Sequence, residues 1–200
     1  MAAIKTRGIG PGGPSVPTAQ AATAGGEGSP WLMVAAERAG LARSNFRHSL
    51  DPALGPGRLP RIATRTPGTG AGSVRAAREY VIATLQRWGV AERREDIAIV
   101  ISELLTNALY HAVPPPGHTR PQLPVRIGLL QPGPCVLCAV TDPSKTAPVP
   151  QGLSPLAETG RGLHIVCALS DRWGYTTLSD TGKVVWAVFT SPPTPPLPTC

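Results

Sequence analysis

No run of about 18 apolar residues occurs in the 200-residue chain, so no segment is expected to span a membrane. Cysteine is scarce: there are four, with a single C-x-x-C at Cys135 and Cys138. The residues around that pair read as a strand, where positions three apart face opposite ways, so the two thiols cannot share a metal. With no second pair, reduced core thiols of a cytoplasmic protein are expected. There is no G-x-x-x-x-G-K-[ST], which excludes a P-loop. Gly8, Gly10 and Gly13 spell G-x-G-x-x-G, but no strand precedes them and Pro11 lies inside, so they read as linker. The net charge is +7, yet the arginines are scattered and not interleaved with aromatics, which argues against nucleic acid. The opening MAAIKTRGIGPGG has no apolar stretch of the signal-peptide kind, so a cytoplasmic location is expected.

Proline and glycine are abundant instead, at 24 and 22 residues, and they cluster. Residues 1–30 hold almost nothing large to bury, and 191–200, SPPTPPLPTC, cannot form a helix or an inner strand. Three regions follow: a low-complexity, mostly disordered extension over 1–58, a folded domain over 59–190 and a Pro-rich disordered tail over 191–200. Residues 1–55 and 191–200 are expected to be dispensable for folding. Within 31–50, Trp31, Val34, Ala35, Arg38 and Leu41 would share one face of a short helix that Gly40 weakens.

In the folded part, RIATR (61–65) reads as a short edge strand. Val74, Ala77, Val81, Ile82, Leu85 and Trp88 predict a helix from an N-cap at Ser73 to Gly89. Ile97, Ile101, Leu104, Leu105 and Ala108 predict a second, from about Glu92 to Ala112. PVRIGLL (124–130) and CVLCAVT (135–141) suit a hairpin. Residues 143–159 form a long irregular segment, ETGRGLHIVCALS (158–170) opens a helix, and DRWGYTTL and KVVWAVFT make a last hairpin across SDTG. This order implies an α+β two-layer sandwich, with helices on one face of a mostly antiparallel sheet.

Chemistry gathers in three places. Glu103, Asn107 and His111 fall four apart along one flank of the second helix, away from its apolar face. Taken alone, that flank is equally a solvated surface. Asp142 follows an apolar strand directly, where a loop-capping role is the plain alternative. Gly160, Arg161 and Gly162 open a helix after the long loop, and a helix N-terminus offers unpaired N–H groups to phosphate.

Taken in order, ISELLTNALYHA, Asp142, ETGRGLHIVCALSDRWGY and GKVVWAVF resemble the GHKL (Bergerat-fold) ATPases, the group of histidine kinases and Hsp90-type chaperones. Together with VRAAREYVIATLQRWGV they are most similar to its anti-sigma-factor serine kinase branch, over about 60–190. The resemblance implies an ATP site. Asn107 would hold Mg²⁺, Glu103 would be the general base, and Asp142 would accept a hydrogen bond from the adenine amino group. Gly160, Arg161, Gly162 and Leu163 would form the phosphate-facing glycine box, His111 would belong to the nucleotide-binding wall, and 143–159 would be a lid. The implied activity is transfer of the γ-phosphate to a Ser or Thr of a STAS-like anti-sigma antagonist, with a sigma factor as a second partner and a homodimer as a compatible state. Two departures stand out: DPSKTAP has no glycine where the family often shows D-x-G-x-G, and Val184 replaces a family Thr. They favour the alternative of a non-catalytic module that binds ATP, or nothing, and sequesters its partner. His48 sits in no clear dimerisation pattern, which disfavours a detached sensor histidine kinase.

Overall fold

The computed structural model describes residues 29–41, 60–68, 70, 72–111, 124–150, 161–178 and 182–190. In chain order the elements are α1 (Pro30–Arg38), β1 (Arg61–Arg65), α2 (Ser73–Arg87), α3 (Arg94–His111), β2 (Ile127–Gln131), β3 (Cys135–Asp142), α4 (Gly162–Leu169), β4 (Arg172–Leu178) and β5 (Gly182–Thr190). The five strands form one sheet in the order β1-β2-β3-β5-β4, and every neighbouring pair is antiparallel. RIATR is the edge strand it was expected to be. The two hairpins, β2–β3 and β4–β5, join along β3 and β5 at the centre of the sheet.

β3 and β5 alternate side chains between two cores. Val136, Cys138 and Val140, with Val185, Ala187 and Phe189, pack beneath α2, α3 and α4. Leu137 and Ala139, with Val184, Trp186 and Val188, pack against α1 on the other face. The expected two-layer sandwich is present, and α1 covers the other face of the sheet. Trp31, Leu32, Ala35 and Ala36 of α1 are buried. Space for them is cut into the sheet at Gly128, where a Cβ would fall 2.5 Å from Cη2 of Trp31. Gly174 does the same for Trp186, whose Cζ2 would lie 2.6 Å from a Cβ there. Residues 30–41, upstream of residue 59, therefore pack on the sheet as part of its second core.

Gly40 ends α1 rather than weakening it. It takes φ 71°, its N–H donates to the Glu37 carbonyl, and the N–H of Leu41 donates to the Ala36 carbonyl at 2.9 Å. Leu41 is buried, which completes a Schellman cap with its hydrophobic contact. Gly89 closes α2 in the same way, with Val90 N–H on the Leu85 carbonyl. At the other end of α2, Gly72 is the N-cap; Ser73 is the first helical residue, and its hydroxyl donates to the Gly70 carbonyl at 2.7 Å.

α3 starts two residues later than expected because Arg93 has φ 61°, a left-handed conformation that no helix continues through. Its guanidinium compensates by joining α3, the end of α4, the turn before β4, and β5. It pairs with Asp96 at 3.1 Å and Asp171 at 3.5 Å, donates to the Leu169 carbonyl and lies 5.4 Å over the Phe189 ring. The end of α4 is thus fixed to the start of α3. β2 begins at Ile127 rather than 124, and before it the Thr141 N–H donates to the Arg126 carbonyl while the Thr141 side chain takes the remaining groups. The Thr141 hydroxyl donates to the Pro124 carbonyl and accepts the Arg126 N–H.

Candidate functional site

α3 presents Glu103 and Asn107 half-buried on the flank that faces α4. The neighbouring hydroxyls turn inward on the helix itself: Ser102 donates to the Ala98 carbonyl and Thr106 to the Ser102 carbonyl, both at 2.8 Å. That leaves the carboxylate and the amide as the groups this stretch offers to a ligand.

With its C-terminal end held by Arg93, α4 runs antiparallel to α3 and brings its first residue, Gly162, against the stripe. A Cβ at Gly162 would fall 2.8 Å from Glu103 Oε2, 3.5 Å from Asn107 Nδ2 and 3.7 Å from Asn107 Oδ1. The close approach requires glycine, and it sets a carboxylate and an amide beside a helix N-terminus. Arg161 is the N-cap residue with no side-chain cap bond, and its carbonyl accepts the Ile165 N–H at 3.1 Å. The first-turn N–H groups of α4 are left for an acceptor from outside the helix. The side chain of Leu163 is buried in the core beneath and anchors the turn. Arg161 is exposed beside it. Gly160 and the side chain of His111 lie outside the described residues, as does the 151–159 part of the expected lid.

Asp142 is the last residue of β3 and is nine-tenths buried, at 4% exposure. It follows Val140 by two and so faces the helix layer. Its Oδ1 accepts the Ser144 N–H at 2.7 Å in an Asx turn, which is the loop-capping role considered from sequence. Its Oδ2 holds the ammonium of Lys183 at 2.6 Å, and Lys183 is itself 3% exposed. The ammonium also donates to the Ser144 carbonyl at 2.9 Å. Asp142 and Lys183 are direct cross-strand partners in the β3–β5 register. Gly182 permits the approach, since a Cβ there would fall 2.3 Å from the Asp142 carbonyl oxygen.

The structure thus brings Glu103, Asn107 and Gly162 into one cluster and places Asp142 separately, on the same side of the sheet. Among the described residues no hydrogen bond joins Asp142 to that cluster. Val184 pairs with Thr141 and packs beneath α1, so the loss of a hydroxyl there falls on the opposite face from Asp142. Sequence reasoning missed Lys183. Its signal was a lone cation opening an otherwise apolar strand, directly after the turn glycine.

Among the described residues no three His, Cys, Asp or Glu side chains group as a metal site, and no helix is long and apolar enough to cross a membrane. Cys135 and Cys138 are free and face opposite sides of the sheet. No curated protein matched this chain. Residues 69–189, which run from just before α2 to the penultimate residue of β5 and contain Glu103, Asn107, Asp142, Gly162 and Lys183, match the histidine kinase-like ATPase domain. The match spans more than half of the chain, and the protein belongs to that family.

Proposed function

We propose that this protein is an ATP-binding regulator of the anti-sigma-factor kinase type, which transfers the γ-phosphate of ATP to a Ser or Thr of an anti-sigma antagonist. The observation that carries this reading is the cluster of Glu103 and Asn107 at the N-terminus of α4. An ATP-binding role follows from the family; the transfer chemistry rests on Glu103. N–H groups of the first turn of α4 would bind phosphate oxygens, with the helix dipole favouring the negative charge. The missing Cβ of Gly162 leaves the space for that approach. Asp142 would accept a hydrogen bond from the adenine amino group with a lone pair that Ser144 and Lys183 leave free.

Mg²⁺ fits the same cluster. It takes oxygen ligands, and the Asn107 carbonyl oxygen stands beside the phosphate-facing turn. Its chemistry there is neutralisation of phosphate charge. Glu103, one helical turn before Asn107, would accept the proton of the substrate hydroxyl. That oxygen bonds to the γ-phosphorus while the bond from phosphorus to the β,γ-bridging oxygen breaks and ADP leaves. A cytoplasmic setting and a sigma-factor pathway are part of this reading, since the substrate would be an antagonist of a sigma-factor inhibitor.

The test is incubation with γ-labelled ATP and candidate antagonist domains. Label should pass to a Ser or Thr of the antagonist. Glu103→Gln should slow transfer by ~10²–10⁴-fold and leave ATP affinity within a few-fold, because the amide keeps the shape but takes no proton. Asn107→Ala should weaken Mg-nucleotide binding instead. Equal transfer rates for wild type and Glu103→Gln would remove Glu103 as the base. Binding of ATP and partner with no transfer by either would favour the sequestering module.

A further inference from the structure

Lys183 is a buried cation in a position no site role yet explains. A lysine with 3% exposure needs partners for all three ammonium protons, because a buried unpaired donor on a charge is costly. Asp142 Oδ2 and the Ser144 carbonyl take two of them, at 2.6 and 2.9 Å. Among the described residues the third has no acceptor. Asp142 is complementary: Oδ1 and Oδ2 each accept one bond, and a carboxylate has about four lone-pair sites. A spare donor and a spare acceptor therefore stand side by side, on the helix-facing side of the sheet, at the point where β3 leaves it.

An adenine ring carries the matching pair on its Watson–Crick edge: the N6 amino group donates, and N1 beside it accepts. We propose that Lys183 is a second base-reading residue, its ammonium donating to N1 of the adenine whose amino group Asp142 accepts. The assignment rests on the nucleotide-binding reading of the site and adds to it. The pair is selective in both directions. A 6-oxo purine presents an acceptor at position 6 and an N1–H donor, so a donor would meet Lys183 and an acceptor would meet Asp142. Sites built to hydrogen-bond a group reject analogues that leave buried polar atoms unpaired far more strongly than apolar pockets reject an added methylene. The carboxylate is also fixed before the base arrives: Lys183 holds Oδ2, and the Ser144 N–H of the glycine-free DPSKTAP loop holds Oδ1.

The test compares ATP with 1-deaza-ATP, which lacks only the N1 acceptor, by calorimetry on the full chain with Mg²⁺ present. The wild type should bind 1-deaza-ATP at least tenfold more weakly than ATP. Lys183→Met should bind ATP more weakly and no longer distinguish the two. Removing one partner of a buried pair strands the other charge and threatens the fold, so the paired variant Lys183→Met with Asp142→Asn, which removes both charges, is measured alongside. It too should bind the two nucleotides alike. Equal affinity of the wild type for both nucleotides overturns the assignment while leaving the nucleotide site intact. So does a tenfold preference that survives in either variant, which would mean another donor reads N1. Absence of ATP binding by the wild type up to millimolar concentration overturns the nucleotide reading itself, and this assignment with it.

Discussion

Gly162 and Gly128 are both glycines whose missing Cβ is filled by a neighbour, and they lie on opposite sides of the sheet. At Gly162 the neighbour is the carboxylate of Glu103, the free end of a flexible side chain on a half-buried helix flank. At Gly128 it is the ring of Trp31 and the methyls of Leu32, packed in a dry core. The first approach sets polar groups side by side with no bond between them among the described residues. The second only fills volume. The helix-bearing side thus carries a polar cluster at a helix N-terminus, whereas the α1 side is packed with apolar groups. Its residual cost sits in the indole N–H groups of Trp31 and Trp186, both buried and without a partner among the described residues.

The difference breaks most sharply at Leu32, which is fully buried. Leu32→Ala should destabilise the protein by about 2–5 kcal/mol, the usual cost of a core truncation with its cavity. Nucleotide affinity at low temperature should stay within about twofold, a negligible free-energy change. Chemical denaturation and calorimetry on the same samples check both. A normal midpoint would mean that α1 only rests on the sheet. A parallel loss of nucleotide affinity would mean that the two sides are coupled through β3 and β5.

Gly128→Ala comes next. The added methyl would meet Trp31 and Leu32 at 2.5 to 3.1 Å, and both side chains are buried. Overpacking of this kind costs about 1–3 kcal/mol. Gly162→Ala is the matched control. Glu103 can swing away, and alanine suits the first turn of a helix, so stability should move by less than about 0.5 kcal/mol. Nucleotide affinity should fall by about tenfold or more as the phosphate-facing turn is blocked, the scale of one hydrogen bond to a charged group. If both glycine variants lost stability and kept affinity, Gly162 would be a packing glycine like Gly128.

Much of the helix-bearing side was legible in sequence because its signals are local. The apolar spacing of Val74 to Trp88 and of Ile97 to Ala108, the Gly89 cap and the i, i+4 stripe all lie within single elements. The polar cluster needed one long-range fact, the antiparallel approach of α4, and the glycine at 162 hinted at it. The α1 side was misjudged because Gly40 was weighed as a helix breaker, when a glycine just past a helix end is its usual terminator. A second signal was present in CVLCAV and VVWAVF. An antiparallel strand with one solvated face should alternate, and these do not, so both faces had to be covered. Lys183 and Val184 could not be placed because their roles depend on register: a one-residue shift exchanges the side chain that meets Asp142 for the one beneath α1.

The smallest effect is expected from a buried thiol, and it tests how well the core under the site is sealed. Burial pushes the Cys138 thiol up from its ordinary 9.0 to about 12, although bonds with the backbone at Ala187 and at Cys138 itself pull the other way. The folded chain therefore keeps this proton at pH values where the unfolded chain has lost it. Between 9 and 12 the unfolded state binds fewer protons, so stability falls as pH rises; below 9 the contribution is complete. The slope approaches about 1.4 kcal/mol per pH unit and is shallower just above 9. Urea unfolding at pH 8, 9 and 10 should show wild type losing up to about 1 kcal/mol more than Cys138→Ala across that range. In the native protein the exposed Cys167 should be alkylated long before Cys138. Identical slopes for wild type and Cys138→Ala, or equal alkylation of the two thiols, would show that water reaches the sheet beneath α3. The polar cluster of Glu103 and Asn107 would then border a wet interior, and its groups would bind phosphate and metal less strongly than in a dry one.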